Sequence, residues 1–144
     1  MDIAASRATL TIDATETMLR AATARARERG VRVHIAIMDA SADLVGWISF
    51  DGAPRIAAHT ARSKAFTAVN TGMSTLQWGE YVDSIPASEQ RIIHGIEGYI
   101  GAAGGFPILH EGHVLGGIGV SGANQEIDAD CARAALEAIE DPAV

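Results

Sequence analysis

The chain of 144 residues is poor in cysteine and in aromatic residues, and both shortages limit its chemistry. Its single cysteine, Cys131, cannot form an internal disulfide and has no companion thiols for a metal cluster. On an apolar helical face, Cys131 is best interpreted as a small core residue. With aromatic residues at only 5% of the chain, a broad aromatic slot for a large flat ligand is not expected. We predict no metal site and no cofactor.

Positive charge and long apolar runs are also scarce. Eleven Lys and Arg against 18 Asp and Glu give a formal net charge of −7. Nucleic-acid-binding proteins concentrate positive potential on one face, so no DNA or RNA partner is expected. No apolar stretch approaches the length that spans a bilayer, and residues 1–7 lack the basic and then apolar pattern of an export signal. We therefore expect a cytoplasmic protein that does not associate with membranes.

Length and a hydrophobic content of 48% are typical of a single domain, residues 1–144, with a substantial core. Thr11 is a plausible N-cap for the first helix, and Gly30 can end it in the left-handed conformation. Periodicity and turn residues predict the remaining elements. Helices are expected at 11–29, 54–71 and 124–140, with one or two short helices within 72–95, and strands at 31–38, 44–50, 98–102, 105–110 and 113–121. This order implies an α/β (α+β) domain with a mainly antiparallel sheet.

Three glycines near the C-terminus, Gly117, Gly119 and Gly122, fit the spacing G-x-G-x-x-G. That spacing indicates dinucleotide binding only inside a βαβ unit, with an acidic residue about 20 positions later. Only 22 residues follow Gly122, and they predict one helix rather than a helix and a strand. A dinucleotide fold is therefore a poor interpretation.

The glycine pairs at 104–105 and 116–117 can be interpreted in two ways. Glycine has no Cβ, so these pairs allow a helix to pack tightly on the sheet. Alternatively, Gly104 and Gly105 form the floor of a concave pocket. In that case Ser121 and Gly122, just before the last helix, donate N–H groups to a ligand carboxylate.

Lys64 is the most unusual side chain of the predicted central helix, because it lies within a stripe of small residues. The stripe consists of Ala57, Ala61, Ala68 and Thr71. Either the Lys64 stem packs while its ammonium group reaches water, or the group lies in a pocket with a carboxylate partner. The partner is expected to be Asp39 or Asp51, which both end strands, and Asp39 is preferred because its strand should be central. Desolvation would lower the lysine pKa and allow base or Schiff-base chemistry.

Other charged side chains offer weaker candidates. Arg55, His59 and Arg62 share one helix face, which is either a solvated surface, the rim of a pocket for an anion, or an oligomer contact. His110 and His113 flank the two-residue turn 111–112, so they should face each other across two strands. Two imidazoles without a third ligand make a poor metal site. His113 is the better functional candidate, because it begins the glycine-rich strand.

Five segments together give the chain a family resemblance. They are IAIMD at 35–39, DGA at 51–53, SKAFTA at 63–68, GGFPI at 104–108, and GGIGVSG at 116–122 followed by Asp128. This ordered set closely resembles the GlcG/HbpS-like "haem-degrading domain" family. The resemblance implies a profilin-like three-layer α/β/α domain with a five-stranded antiparallel sheet, usually in a homo-oligomer. Some members of the family bind haem or corrinoids, and others belong to small-acid catabolic pathways.

Two functions follow from this sequence. The first is a small-molecule-binding protein that holds a small metabolite near the glycine-rich strands, with a tetrapyrrole as the less favoured ligand. Its predicted ligand-binding residues are Asp51, Arg55, Gly104, Gly105, Ser121 and Gly122. The alternative is a cofactor-independent lyase, isomerase or hydratase acting on a small oxygenated intermediate. Its predicted catalytic residues are Lys64, Asp39 and His113.

Three further expectations concern assembly, haem and Lys64. Trp78 and Tyr81 lie in a polar segment, and aromatic residues are enriched at interface centres, so a homo-oligomer is predicted. Haem binding is predicted to be weak or absent, and His113 would be the axial ligand if iron bound. Replacing Lys64 with alanine is expected to impair function more than folding, whereas Arg62→Ala should do little.

Overall fold

A computed structural model describes residues 1–140 of the chain, which form five helices and four strands. The predicted domain end at residue 144 lies outside this range. The helices are α1 (Ile12–Glu28), α2 (Ile56–Thr71), α3 (Thr75–Ser84), α4 (Ala87–His94) and α5 (Gln125–Glu140). The strands are β1 (His34–Asp39), β2 (Leu44–Ser49), β3 (Gly105–His110) and β4 (His113–Ser121).

The strands form one antiparallel sheet in the order β2-β1-β4-β3. The predicted α/β (α+β) class is confirmed, but the prediction of five strands is wrong, because residues 98–102 form a loop. Gly98 has a φ of +95°, which strand backbone does not adopt. The amide of Ile100 binds the hydroxyl of Thr67 at 2.9 Å instead of a neighbouring strand.

Successive side chains of β1 point to opposite faces of the sheet, so this strand contributes to the packing on both faces. Ile35 and Ile37 belong to the larger core, which they share with residues of α1 and α5. Ala36 and Met38 pack with Ala61 and other residues of α2. Helices α1 and α5 therefore cover one face and α2 covers the other, in three layers.

Local signals placed several boundaries correctly. The hydroxyl of Thr11 accepts a hydrogen bond from the amide of Ala14 at 3.2 Å, and Gly30 follows α1 with a φ of +67°. The turn at Glu111 and Gly112 has φ values of 49° and 78°, typical of a two-residue hairpin turn. Within residues 1–140, no helix has both the length and the apolar character needed to cross a membrane.

Candidate functional site

Lys64 lies in the centre of the molecule, and its charged end is bound entirely by protein atoms. Its side chain is 2% exposed and that of Asp128 is 3% exposed. The Nζ of Lys64 donates to Oδ2 of Asp128 at 3.1 Å and to the carbonyl oxygen of Val120 at 2.9 Å. This buried ion pair joins α2, β4 and α5.

The carboxylate of Asp128 is held by the backbone as well as by Lys64. Its Oδ1 accepts a hydrogen bond from the amide of Ala123 at 2.9 Å. Burial raises the pKa of Asp128 and lowers the pKa of Lys64, and the attraction between the two groups opposes both shifts. The pair is a buried junction, and removing either member leaves an uncompensated charge.

The prediction that Lys64 pairs with Asp39 or Asp51 is wrong. Oδ1 of Asp39 accepts hydrogen bonds from the amides of Ser41 and Asp43 at 2.9 and 3.1 Å, so it stabilises the loop between β1 and β2. Asp51 is exposed in the turn before α2. The sequence did carry one signal for the true partner: Asp128 shares a helical face with the buried residues Cys131 and Ala135 at i+3 and i+7.

The glycine pairs make room for protein atoms, so the prediction that they form an open pocket floor is wrong. A Cβ on Gly104 would lie 2.7 Å from Nζ of Lys64, and a Cβ on Gly105 would lie 2.6 Å from the carbonyl oxygen of Lys64. A Cβ on Gly117 would lie 2.6 Å from the carbonyl oxygen of Ala65. These distances support the alternative interpretation, tight packing of a helix on the sheet.

Ser121 and Gly122 are predicted to donate N–H groups to a ligand carboxylate, and the structure places a protein carboxylate beside them. Ser121 is buried at the end of β4, and the amide of Ala123, next to Gly122, binds a carboxylate of the protein itself, that of Asp128. The predicted chemistry of this segment is thus present, but it fixes α5 to the sheet.

The remaining predicted residues lie at the surface, apart from one another. Arg55 is exposed just before α2. His113 is exposed and faces His110 across the hairpin, as predicted. His113 lines a cleft of about 620 Å³ together with Arg7 and neighbouring residues. In the part of the chain described, no group of three or more His, Cys, Asp or Glu side chains is arranged to hold a metal ion.

Aromatic residues gather at a second surface cleft that sequence reasoning did not identify as a ligand site. The ring centroid of Trp78 lies 5.5 Å from that of Tyr81 and 5.7 Å from that of Tyr99. The ring centroids of Tyr99 and Phe66 are 5.3 Å apart. Four of the seven aromatic residues of the chain therefore form one cluster. We call the adjoining space of about 360 Å³ the aromatic cleft. It is lined by Trp78, Gly79, Val82, Asp83, Ile93, His94, Ile96, Tyr99, Ile100 and Gly101.

Close backbone contact shapes the aromatic cleft. Gly79 of α3 lies against Gly101, and a Cβ on Gly101 would lie 2.7 Å from the Cα of Gly79. The loop containing Tyr99 can approach α3 this closely only because both residues lack a side chain. A smaller cleft of about 260 Å³ continues from it and shares Trp78, Ile93, Ile96 and Tyr99.

Large apolar side chains are exposed on the helices that contribute to the aromatic cleft and just after α4. Helix α4 has no buried residue, Ile92 is 63% exposed and Ile96 is 52% exposed. Tyr81 is 45% exposed on the neighbouring helix. Exposed apolar groups in one contiguous region are typical of ligand-binding or protein-binding surfaces.

The fold and the cleft define an α+β protein with a concave aromatic surface, and comparison with known proteins gives its family. A family described as "Haem degrading protein HbpS-like" matches residues 10–137. The chain therefore belongs to the HbpS-like family, as the sequence motifs indicated.

Individual relatives agree with this assignment. The chain is 34% identical over 128 residues to the corrinoid adenosyltransferase PduO of Citrobacter freundii, covering 85% of this chain and 36% of the relative. The chain thus spans about a third of the length of the curated relatives it matches.

Two solved structures are similar over most of both chains. Klebsiella pneumoniae protein ORFY has a TM-score of 0.88 at 24% identity, covering 97% of each chain, which shows a shared fold. A PduOC complex with haem has a TM-score of 0.83 at 26% identity, covering 90% of this chain and 94% of the other.

Proposed function

We propose that the protein binds a flat, largely apolar small molecule in the aromatic cleft, with a tetrapyrrole as the leading ligand class. The observation that carries this proposal is that Trp78 and Tyr99, whose ring centroids lie 5.7 Å apart, both line one open concave surface. Aromatic rings stack on flat conjugated ligands and bury much apolar area without many hydrogen bonds. The low aromatic content of the chain is therefore no obstacle, because the rings are concentrated where a ligand would need them.

The dimensions and chemistry of the cleft suit such a ligand. The two adjoining clefts, of about 360 and 260 Å³, are each close to the lower end of the size range of small-molecule pockets. Ile93 and Ile96 provide aliphatic contacts, and His94 provides an imidazole on the wall. Histidine is a common axial ligand of haem iron, so these residues fit a haem group. The haem complex of the similar PduOC supports the same ligand class.

The alternative enzymatic function has no comparable support. Lys64 is bound to Asp128 in the interior, Asp39 is bound to loop amides, and His113 lies on an exposed hairpin. A general base must lie within hydrogen-bonding reach of its substrate proton. No cleft described above is lined by two of these three residues, so the clefts provide no common catalytic centre for them.

The proposal is tested by titrating the protein with haemin and with metal-free protoporphyrin, followed by visible absorption. We expect saturable binding of both, and a loss of roughly tenfold or more in affinity on Trp78→Ala, because stacking area is removed. Trp47→Ala is the matched control, since Trp47 lies beneath the guanidinium of Arg62 and outside the aromatic cleft.

His94→Ala separates iron ligation from stacking. We expect it to shift the absorption of bound haemin while leaving metal-free protoporphyrin binding within a few fold of wild type. Binding of neither porphyrin, or equal effects of the two tryptophan substitutions, would contradict the proposal. Such a result would favour the smaller metabolite predicted from the sequence.

A further inference from the structure

Another cleft, of about 520 Å³, lies where the C-terminal end of α1 meets the start of β1 and the end of β2. It shares no residue with the aromatic cleft. We call it the arginine cleft. It is lined by Thr23, Arg27, Gly30, Val31, Arg32, Ile48, Ser49, Phe50 and Asp51.

The two arginines of this cleft have unused hydrogen-bond donors. Their neighbours Arg25 and Arg29 both form ion pairs with Asp130, at 2.8 and 3.7 Å. In residues 1–140, by contrast, no carboxylate lies within 4 Å of Arg27 or Arg32.

Arg32 makes one hydrogen bond, from Nη1 to the carbonyl oxygen of Asp51 at 3.1 Å. A guanidinium carries five N–H donors, so most of the donors of Arg32 remain available. The same bond holds its planar group against the turn that follows β2. In a chain with a net charge of −7, Arg27 and Arg32 together form a local concentration of positive charge.

A hydroxyl group in the same cleft also lacks a partner. Oγ1 of Thr23 is buried and makes no hydrogen bond, and no other buried side-chain nitrogen or oxygen is in this position within the described residues. This hydroxyl is closed off from the open part of the cleft, so the two arginines and the exposed lining residues provide the groups that a ligand can reach.

The other lining residues limit the class of ligand. Val31, Ile48 and Phe50 provide an apolar wall for a short carbon chain. The exposed carboxylate of Asp51 disfavours a second negative charge and can accept a hydrogen bond from a hydroxyl group. We infer that the arginine cleft binds a small hydroxylated monocarboxylate. Its carboxylate binds Arg27 and Arg32, its carbon chain contacts Ile48 and Phe50, and its hydroxyl group points to Asp51.

Three related probes test this inference by NMR titration of the backbone amides. Lactate has both groups, propionate lacks the hydroxyl and propylene glycol lacks the carboxylate. We expect saturable shifts at Gly30 and Ser49 with lactate, weaker binding of propionate, and none of propylene glycol. Arg27→Gln and Arg32→Gln should each weaken lactate binding roughly tenfold, because a charge-assisted bond is lost. Arg20→Gln, an exposed arginine on the same helix, is the control.

Thr23→Val is a second control in the lining of the same cleft. Because the hydroxyl is buried and has no partner, this nearly isosteric change should alter neither the melting temperature nor lactate binding. No saturable shifts with lactate or propionate would overturn the inference, as would lactate binding that is unchanged in both arginine variants. Neither result affects the aromatic cleft, which the porphyrin titration tests separately.

Discussion

Nζ of Lys64 lies 3.1 Å from Oδ2 of Asp128, and both side chains are almost completely buried. The two residues are 64 positions apart, so this contact ties the central helix α2 to the last helix α5 beside the end of β4. The charged group of Lys64, which lies within the stripe of small residues on α2, is therefore part of the core.

Loss of this ion pair should destabilise the fold strongly. Lys64→Ala is expected to lower the free energy of unfolding by about 3–5 kcal/mol, because Asp128 keeps a buried charge without a partner. Urea denaturation measures the change. The control is Arg62→Ala on the exposed face of the same helix, where a stacked cation on Trp47 contributes about 0.5–1 kcal/mol.

This expectation reverses the one drawn from sequence, in which Lys64 mattered more for function than for folding. A Lys64→Ala protein as stable as Arg62→Ala would assign Lys64 to function again and contradict the structural role.

Gly104 should tolerate no side chain. A Cβ would lie 2.7 Å from both Nζ of Lys64 and the carbonyl oxygen of Val120, and the φ of +128° is itself unfavourable for alanine. Gly104→Ala is expected to cost at least about 1–3 kcal/mol more than Gly112→Ala, because overpacking adds to backbone strain. Gly112 has a φ of +78° and open space around it, so its substitution measures strain alone. Equal losses in thermal denaturation would exclude the crowding at Gly104.

Cys131 predicts a loss of stability at alkaline pH. Burial, and then the neighbouring Asp130 and Asp128, raise the pKa of its thiol from 9.0 to about 11. Between these values the unfolded chain loses the proton first, so the free energy of unfolding falls by about 1.4 kcal/mol per pH unit. Below pH 9 both states are protonated and no change arises. Urea denaturation from pH 8 to pH 11 should show this component in wild type and not in Cys131→Ala; identical slopes would contradict it.

The predicted homo-oligomer would use the exposed apolar side chains of α4 and of the residues just after it. Ile92→Asp and Ile96→Asp place charges on this surface and should shift the protein toward a 15 kDa monomer, measured by sedimentation or light scattering. Ile56→Asp is the control, since Ile56 is 82% exposed at the start of α2, away from this surface. A wild-type monomer at micromolar concentration would contradict the prediction.

Sequence patterns predicted most of the fold because local signals agreed with each other. Strands β3 and β4 were predicted at their observed bounds, because the turn at residues 111–112 separates them clearly. The predicted strand at 98–102 failed because the local apolar pattern did not show the left-handed Gly98 or the contact between Gly101 and Gly79.

The candidate sites were harder to predict because distant segments build them. Asp128 reaches Lys64 only through the packing of α5 on the sheet. The aromatic cluster beside this cleft combines Phe66 of α2, Trp78 of α3 and Tyr99 of the loop between α4 and β3, so the composition of the whole chain concealed a local concentration. The arginine cleft likewise depends on contact between α1 and the turn after β2.

The most direct test of ligand binding in the aromatic cleft uses the two tryptophans of the chain as separate reporters. Trp47→Phe leaves Trp78 in the aromatic cleft as the only tryptophan, and Trp78→Phe leaves Trp47 beneath Arg62. We predict that protoporphyrin quenches the fluorescence of the Trp47→Phe protein saturably and strongly, and that of the Trp78→Phe protein much less. Equal quenching of both proteins, or none, would contradict binding in the aromatic cleft.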